Sequence, residues 1–495
     1  MVRCPHHGQQ PLTGSNQFCS YSADTDKRSD RFGRMFDELP ASFVPADVLI
    51  GIGDAYGKMR ETGTATQSES KTVPVGHVFF GQFVDHDITL DVSSSLSSVV
   101  GEADSIPNSR TPQLDLDCIY GGGREASPYL YDTNGTGVKL LTGAGNRVEL
   151  DDGTEQESAL AAEDLQRNNN GVAMIGDFRN DENRVLSQLQ LAMIRFHNQV
   201  AEEALVPIRD AQPGVADEDL ELPHGLFEAI RQTTTWHYQW SVVFDFLHAM
   251  CGKPVVDDIL ANGRKWYCGG EPYIPVEFSV AAYRFGHSMV PISVQFQKNA
   301  PRFDLFGDVY GLGFKPLVDA RGVVDWHEMF HTSQNRQVQK TLKLNTKMSP
   351  ELLELPVVSD PDPAAKSLAS RNLRRGNQFL LPAGERVAEH MGRDAAEIAK
   401  VMARVKTVSN GAIDGNGAPL WLYILAEAQE IGRARAGGQP QKNEGLGPVG
   451  ARIVAEVIIG LLEMDEHSFL GSDRNWLPDP DRRSIGEILA STQSI

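Results

Sequence analysis

Apolar residues recur at 185, 186, 189, 193, 196 and 200 within "NRVLSQLQLAMIRFHNQVAEEAL" (183–205), a helical period held over about six turns. A second long helix is expected over 226–251, which is rich in aromatics, and further helices over 278–290, 383–406, 417–433 and 448–464. The apolar run "VFF" at 78–80 opens onto "GQFVDHDITLD" (81–91), so one more element falls near 75–90. Alternating strand patterns are sparse. Residues 91–160 read as turn-rich and acidic, 207–225 as an acidic loop, and "RARAGGQPQKNEGLG" (433–447) as a mobile loop. The pattern predicts a mainly α protein with little β. Length alone (495 residues) would suggest two to four domains, yet no repeat and no composition break marks a boundary. The expected organisation is an irregular segment over 1–40, one large domain over 41–470 and a tail over 471–495.

Composition narrows the function classes. The chain carries 46 basic and 66 acidic residues, a net charge of −20, which disfavours nucleic acid and anionic membrane as partners. Five cysteines (Cys4, Cys19, Cys118, Cys251, Cys268) without a CxxC pair argue for reduced thiols. The start "MVRCPHHGQQPLTG" lacks the apolar core of a secretion signal. No apolar run is long enough to span a bilayer, the best being 452–462. The expectation is a protein in the cytoplasm, or one exported without a standard signal.

Several short stretches could carry chemistry. On a helix turning ~100° per residue, Gln82, Asp85 and His86 share one face while Asp87 turns away. By itself that is also the pattern of a solvated face. In "RTPQLDLDCIYGG" (110–122), Thr111, Gln113, Asp115 and Asp117 place oxygen donors at every second residue, as a hard cation requires. The EF-hand pattern fails there, because Ile119 offers no side-chain oxygen, so a further ligand must come from elsewhere and Asp87 is the candidate. Arg179 and Glu182 lie one helical turn apart in "GDFRNDEN" (176–183), as do Asn372 and Arg375 in "SRNLRRGNQ" (370–378), and His287 sits in the apolar "YRFGHSM" (283–289). Separately, "HEMFH" (327–331) fits HExxH, the helical zinc motif of metalloproteases. Its metzincin extension is missing, since Gln334 and Gln337 stand where glycine and histidine are needed.

In this order the stretches resemble the animal-type haem peroxidase family (the peroxidase–cyclooxygenase superfamily), most closely its bacterial members. The family's GQxxDHD is met by Gly81–Asp87, its TxxxDx[SD]xxYG by Thr111–Gly121 and its GDxRxxE by Gly176–Glu182. R[YF]GH is met by Arg284–His287, and LNxxR by Asn372 and Arg375, with Arg371 in place of the leucine. The resemblance spans about 75–376, and 446–465 is similar to the family's C-terminal helical part.

The resemblance implies one large helical domain around a buried haem b. It implies His86 as distal acid–base, Arg179 as the stabiliser of developing charge, and Gln82 beside a halide site. His287 would be the axial iron ligand, with Asn372 accepting its other ring N–H. Asp85 and Glu182 match the residues that form ester links to haem, and Arg284 and Arg375 those that pair with its propionates. Asp87, Thr111, Gln113 (by its carbonyl), Asp115 and Asp117 would hold Ca²⁺. The implied activity is reduction of hydrogen peroxide through a ferryl state, with oxidation of small donors: phenols, iodide, thiocyanate and bromide. Two departures refine this. Asn183 stands where the chloride-oxidising mammalian relative has a methionine that forms a third haem link. In the fatty-acid dioxygenase branch a radical tyrosine lies three residues before the proximal histidine; here that residue is Arg284, and Tyr283 lies four before. The competing readings are a dioxygenase, a zinc protease through 327–331, and an inactive haem- or calcium-binding scaffold.

Overall fold

The computed structural model describes residues 32–63, 68–90, 108–133, 135–145, 147–149, 155–157 and 160–493. Most of the expected 1–40 segment and much of 91–160 lie outside these. Seven helices among the described residues have eleven residues or more: α1 (Gly76–Ile88), α2 (Arg184–Ala211), α3 (Leu226–Ser241), α4 (Leu368–Gln378), α5 (Ala395–Val408), α6 (Leu420–Glu430) and α7 (Pro448–Met464). Strands among the described residues are short and form four two-stranded ladders. Phe32–Gly33 runs parallel to Ile274–Pro275, with Phe32 opposite Ile274. The other three are antiparallel: Glu69–Pro74 with Lys340–Leu342, Arg147–Glu149 with Glu155–Glu157, and Ser293–Gln295 with Arg302–Asp304. The fold is that of a single helical domain.

Helix α7 is apolar on nearly every side and runs through the core, packed on α6. Its buried first-turn donors, which have no partner within the helix, are met by the buried carboxylate of Glu427 on α6, which accepts from Val449 N (3.0 Å) and Gly450 N (3.3 Å). Helix α2 starts at Asn183, whose side chain accepts from Leu186 N at 2.9 Å. It packs on both α1 and α3, so these three helices form one wall of the core. Beyond 470, Trp476 stacks edge-on against Trp236 of α3, and the Ile485–Ser491 helix packs on α2.

The structure departs from the sequence pattern in four places. Helix α2 runs on to Ala211 and takes in Pro207, so the expected loop begins later. The 383–406 pattern is two helices, Gly384–His390 and α5, separated where Gly392 takes a left-handed φ of 71° and Asp394 caps α5. Segment 433–447 is tied down rather than mobile: Arg433 and Gln441 exchange two backbone hydrogen bonds (3.0 and 2.8 Å), and the Arg433 guanidinium reaches Thr72 Oγ1 at 3.1 Å. The stretch expected as a helix over 278–290 is a wide π turn (Glu277–Ala281) followed by a tight 3₁₀ turn (Ala282–Ser288). Carbonyls freed by this change of pitch are taken up by side chains. Arg284 Nε donates to Ser279 O (2.9 Å), and Trp421 Nε1 donates to Arg284 O (3.1 Å). The same change of pitch aims His287 away from the line an α-helix would give it.

Candidate active site

A cavity of about 620 Å³ lies between α1 and the 277–288 turn. Gln82, Asp85 and His86 line it from one side, and Tyr283, Arg284 and His287 from the other; Glu182 and Asn183 also reach it. The helical spacing of α1 thus works as expected, and Asp87 points away from the cavity, into the protein. Close approach of the two sides needs Gly81. A β-carbon there would lie 2.9 Å from the Phe246 ring, and Gly81 O accepts the Tyr283 hydroxyl at 3.1 Å.

His86 is buried, and burial followed by the Arg179 charge lowers its pKa to about 3. The imidazole is therefore neutral and one ring nitrogen carries a lone pair. Its Nδ1 is 2.7 Å from Asn180 Oδ1. Asn180 Nδ2 donates to Gln190 Oε1 at 2.8 Å, and Gln190 Nε2 donates to the main-chain oxygen of Cys118, also at 2.8 Å. Neither amide stood out in the sequence. The available signal was that Asn180 lies in the Arg179–Glu182 turn and Gln190 falls on the buried face of α2.

Arg179 stands beside His86 but is not among the residues lining the cavity. Its Nη2 donates to His86 O (2.9 Å), and its Nε and Nη2 grip Asp177 (3.1 and 2.6 Å). Burial would raise the Asp177 carboxyl, but Arg179 and Arg110 together hold it well below the usual carboxylate range. Arg110 continues the line: its Nη2 is 2.6 Å from Asp177 and its Nη1 2.8 Å from Asp117, with all three side chains buried. This alternation of charge joins Arg179 to the acidic loop, and only the tertiary structure reveals it.

Asp85 and Glu182 are both held toward their neutral forms by burial. Arg179 opposes the shift in each case; Glu182 still rises to about 7. Glu182 accepts a short hydrogen bond from the Gln82 amide, whose oxygen accepts from Asn183 Nδ2 at 3.3 Å. Residues 311–314 brace this corner. Arg184 N donates to Gly311 O (2.9 Å), Gly313 N to Glu182 O (3.0 Å) and Phe314 N to Asp181 O (2.7 Å).

On the far side, burial and then Arg284 and Arg371 lower the His287 pKa to about 3. Asn372 is its partner as expected, but with the opposite polarity. The amide nitrogen lies 2.8 Å from His287 Nδ1, and the amide oxygen accepts a long bond (3.4 Å) from Arg284. Turning the terminal amide over gives the expected acceptor geometry at His287 but gives up the long bond from Arg284, which would then face Nδ2. Arg284 lines the cavity; Arg375 does not, and its guanidinium lies over the Phe379 ring at 5.5 Å.

Asp87, Asp115 and Asp117 converge, with one carboxylate oxygen from each within 4.8 Å of the others. Burial and mutual repulsion push Asp87 and Asp117 well above the carboxylate range, and burial brings Asp115 to about 6. Asp87 Oδ1, Thr111 Oγ1, Asp115 Oδ2 and Asp117 Oδ1 are buried without a hydrogen-bond donor. Orphaned oxygens around three clustered carboxylates fit a hard cation. Gln113 is half-buried in the same loop.

The HExxH stretch does not form a metal site. Its helix is only Trp326–Met329 and Phe330 is extended, so His327 and His331 are not one turn apart. His327 bonds Thr332 Oγ1 (2.7 Å), and His331 lies 3.0 Å from Lys340 Nζ.

The family profile "Animal haem peroxidase" matches residues 93–397. The chain is 24% identical over 306 residues to chorion peroxidase of Drosophila melanogaster, covering 59% of this chain and 35% of that protein. It is 28% identical over 145 residues to heme peroxidase 2 of Caenorhabditis elegans (27% and 19%). The chain spans well under two thirds of these relatives' length. Among solved structures it is similar to peroxidase A from Dictyostelium discoideum (TM-score 0.58, 15% identity, 94% of this chain and 93% of that one). It is also similar to fatty acid alpha-dioxygenase from Arabidopsis thaliana (TM-score 0.53, 15% identity, 92% and 75%). With the profile covering more than half of the 495 residues and the fold shared across peroxidase and dioxygenase neighbours, the chain belongs to the animal haem peroxidase family.

Proposed function

We propose that this protein is a peroxidase that reduces hydrogen peroxide and oxidises small donors: phenols, iodide, thiocyanate and bromide. The observation that carries the reading is the pair of neutral imidazoles, buried His86 and half-buried His287, that line one cavity from opposite sides. Haem bound there supplies the iron and the redox chemistry of peroxide cleavage. His287 is the residue to hold the iron, and Asn372, with its amide turned to accept the Nδ1 proton, fixes that ring. His86 takes a proton from the peroxide oxygen nearest it and returns it to the departing oxygen. Arg179 contributes positive charge beside His86 without lining the cavity. Arg284, which lines the cavity, would pair with one propionate, and Arg375 would pair with the other by turning inward from the Phe379 ring. Asp85 and Glu182 would become the covalent links: each carboxyl loses its proton and bonds a haem methyl carbon that gives up a hydrogen, and the two electrons released per link reduce one peroxide to water. Gln82 positions a halide. Asp87, Thr111, Gln113, Asp115 and Asp117 bind Ca²⁺ and tie the acidic loop to the residue beside His86.

The Tyr283 hydroxyl supports a peroxidase over a dioxygenase. It donates to the backbone oxygen of Gly81, which cannot take up a proton as a radical forms. Without the third link that Asn183 cannot make, chloride should be turned over far more slowly than bromide. Among the described residues no helix is long and apolar enough to cross a membrane. The test is absorption and steady-state assay of the purified, haem-containing protein. We expect a Soret band with stoichiometric iron and peroxide-dependent oxidation of phenols and iodide. His86→Ala should keep the band and lose about 10²-fold or more in the peroxide reaction, whereas His287→Ala should lose haem. Full peroxide reactivity in His86→Ala, or oxygen uptake with a fatty acid in place of peroxide turnover, would overturn the reading.

A further inference from the structure

The direction of the amide chain behind His86 is set at one end. Cys118 O is a backbone carbonyl and can only accept. Gln190 must therefore present its Nε2 (2.8 Å) and keep its Oε1 for Asn180. Asn180 must present its Nδ2 to that oxygen (2.8 Å), which leaves its Oδ1 against His86 Nδ1 at 2.7 Å. An acceptor at that distance requires the proton to be on Nδ1. The lone pair then sits on Nε2, the other nitrogen of a ring that lines the cavity. The opposite tautomer would set two lone pairs face to face. Turning both amides to relieve that would place Gln190 Oε1 against Cys118 O.

The anchor itself is held in place. Cys118 O also accepts from Gly176 N at 2.9 Å. A β-carbon on Gly176 would lie 2.3 Å from Asp117 O and 2.7 Å from Cys118 O, so this contact needs glycine. Asn180 and Gln190 are fully buried, out of reach of bulk solvent.

We infer that Asn180, oriented by Gln190 and the Cys118 carbonyl, is a positioning residue that fixes the tautomer and ring angle of His86. The inference rests on His86 being the acid–base group of the proposed function. It predicts a split between the two halves of the reaction. Steps that need a base at His86 Nε2 depend on Asn180, and oxidation of the donor does not.

The experiment uses haem-containing protein with Asn180→Leu, Asn180→Asp, Gln190→Met and His86→Ala. Three quantities are measured: kcat/KM for peroxide, kcat/KM for a phenol at saturating peroxide, and the rate of binding of hydrogen cyanide, which must give up its proton to a base. Thermal midpoints are recorded beside them. Asn180→Leu should lose about 10- to 100-fold in the peroxide and cyanide rates while the phenol term stays within about two-fold of wild type. Asn180→Asp, which restores an acceptor for Nδ1–H, should recover most of both losses, and Gln190→Met should fall between. Wild-type peroxide and cyanide rates in Asn180→Leu, with both slow in His86→Ala, overturn the inference alone. Wild-type rates in His86→Ala as well overturn the reading of the site. If Asn180→Leu does not fold, Gln190→Met decides: unchanged rates there overturn the inference. A loss in Asn180→Leu that Asn180→Asp fails to recover also overturns it, since that is what a purely structural role would give.

Discussion

Arg110→Met isolates the charged line that joins the acidic loop to Arg179. The guanidinium is 2.8 Å from Asp117 and 2.6 Å from Asp177, and all three side chains are 5% exposed or less. At such distances and an effective dielectric of about 20, each contact has a gross Coulomb term of about 6 kcal/mol before desolvation. Much of that is offset. Asp177 keeps Arg179, and a methionine recovers the packing of the aliphatic stem. What is left is the buried Asp117 carboxyl, facing Asp87 and Asp115 with the Arg110 charge that opposes its protonation removed. Breaking a buried pair from one side costs about 3–5 kcal/mol. Unfolding entropy of about 2.1 cal/mol/K per residue over 495 residues is about 1 kcal/mol per degree. The midpoint should therefore fall by about 3–5 °C in the presence of chelator. Saturating Ca²⁺ supplies Asp117 with a new counter-charge, so the gap should narrow to about 2 °C or less. The assay is differential scanning calorimetry of both proteins with chelator and with millimolar Ca²⁺. Equal midpoints in chelator, or a gap that calcium leaves unchanged, would refute the argument that Arg110 and the cation share the charge of Asp117.

Further predictions follow from the same geometry. Chelation alone should shift the Soret band as well as lower the midpoint, because Asp87 adjoins His86; unchanged calcium content in both Asp87→Ala and Asp115→Ala would remove the site. Glu182 has its pKa raised from 4.5 to about 7, so the fold favours its protonated form. That contribution is complete below about 4.5 and is lost as pH rises through about 7. Glu182→Gln should flatten stability over this window, and so should peroxide treatment if it converts the carboxyl to an ester; a slope that survives in Glu182→Gln counts against the assignment. Gly81→Ala should cost about 1–3 kcal/mol by overpacking, since its β-carbon meets the Phe246 ring at 2.9 Å; a wild-type midpoint would show that the ring yields freely.

Much of the site was legible in the sequence because its parts are local. The face shared by Gln82, Asp85 and His86 follows from helical pitch, and so does the opposite heading of Asp87. Apolar periodicity predicts α7 to the residue, Pro448–Met464, because a helix buried on nearly every side leaves little else for that stretch to do. Local pattern misleads where a local rule is outvoted. Helix α2 carries Pro207 without ending, and Arg209 just beyond it is held by Glu202 of the same helix and by Asp217. The 277–288 stretch has helical composition but passes from a π to a 3₁₀ turn, and the carbonyls this frees are taken up by Trp421 and Arg284, neither of which local pattern reveals. The HExxH pattern fails for the converse reason: Phe330 is extended after a four-residue helix, and the spacing never becomes a shared face. Arg110, Asp177, Asn180 and Gln190 were out of reach of the sequence for a different reason. Their roles lie in contacts between segments up to 94 residues apart, as from His86 to Asn180. A hydrogen bond across such a separation depends on where two backbones cross, and no periodicity of either segment encodes that crossing. What the sequence determined is therefore which side chains each element offers; which of them meet, and which nitrogen of His86 holds the proton, was decided by the packing of α1 and α2 against the loop at Cys118.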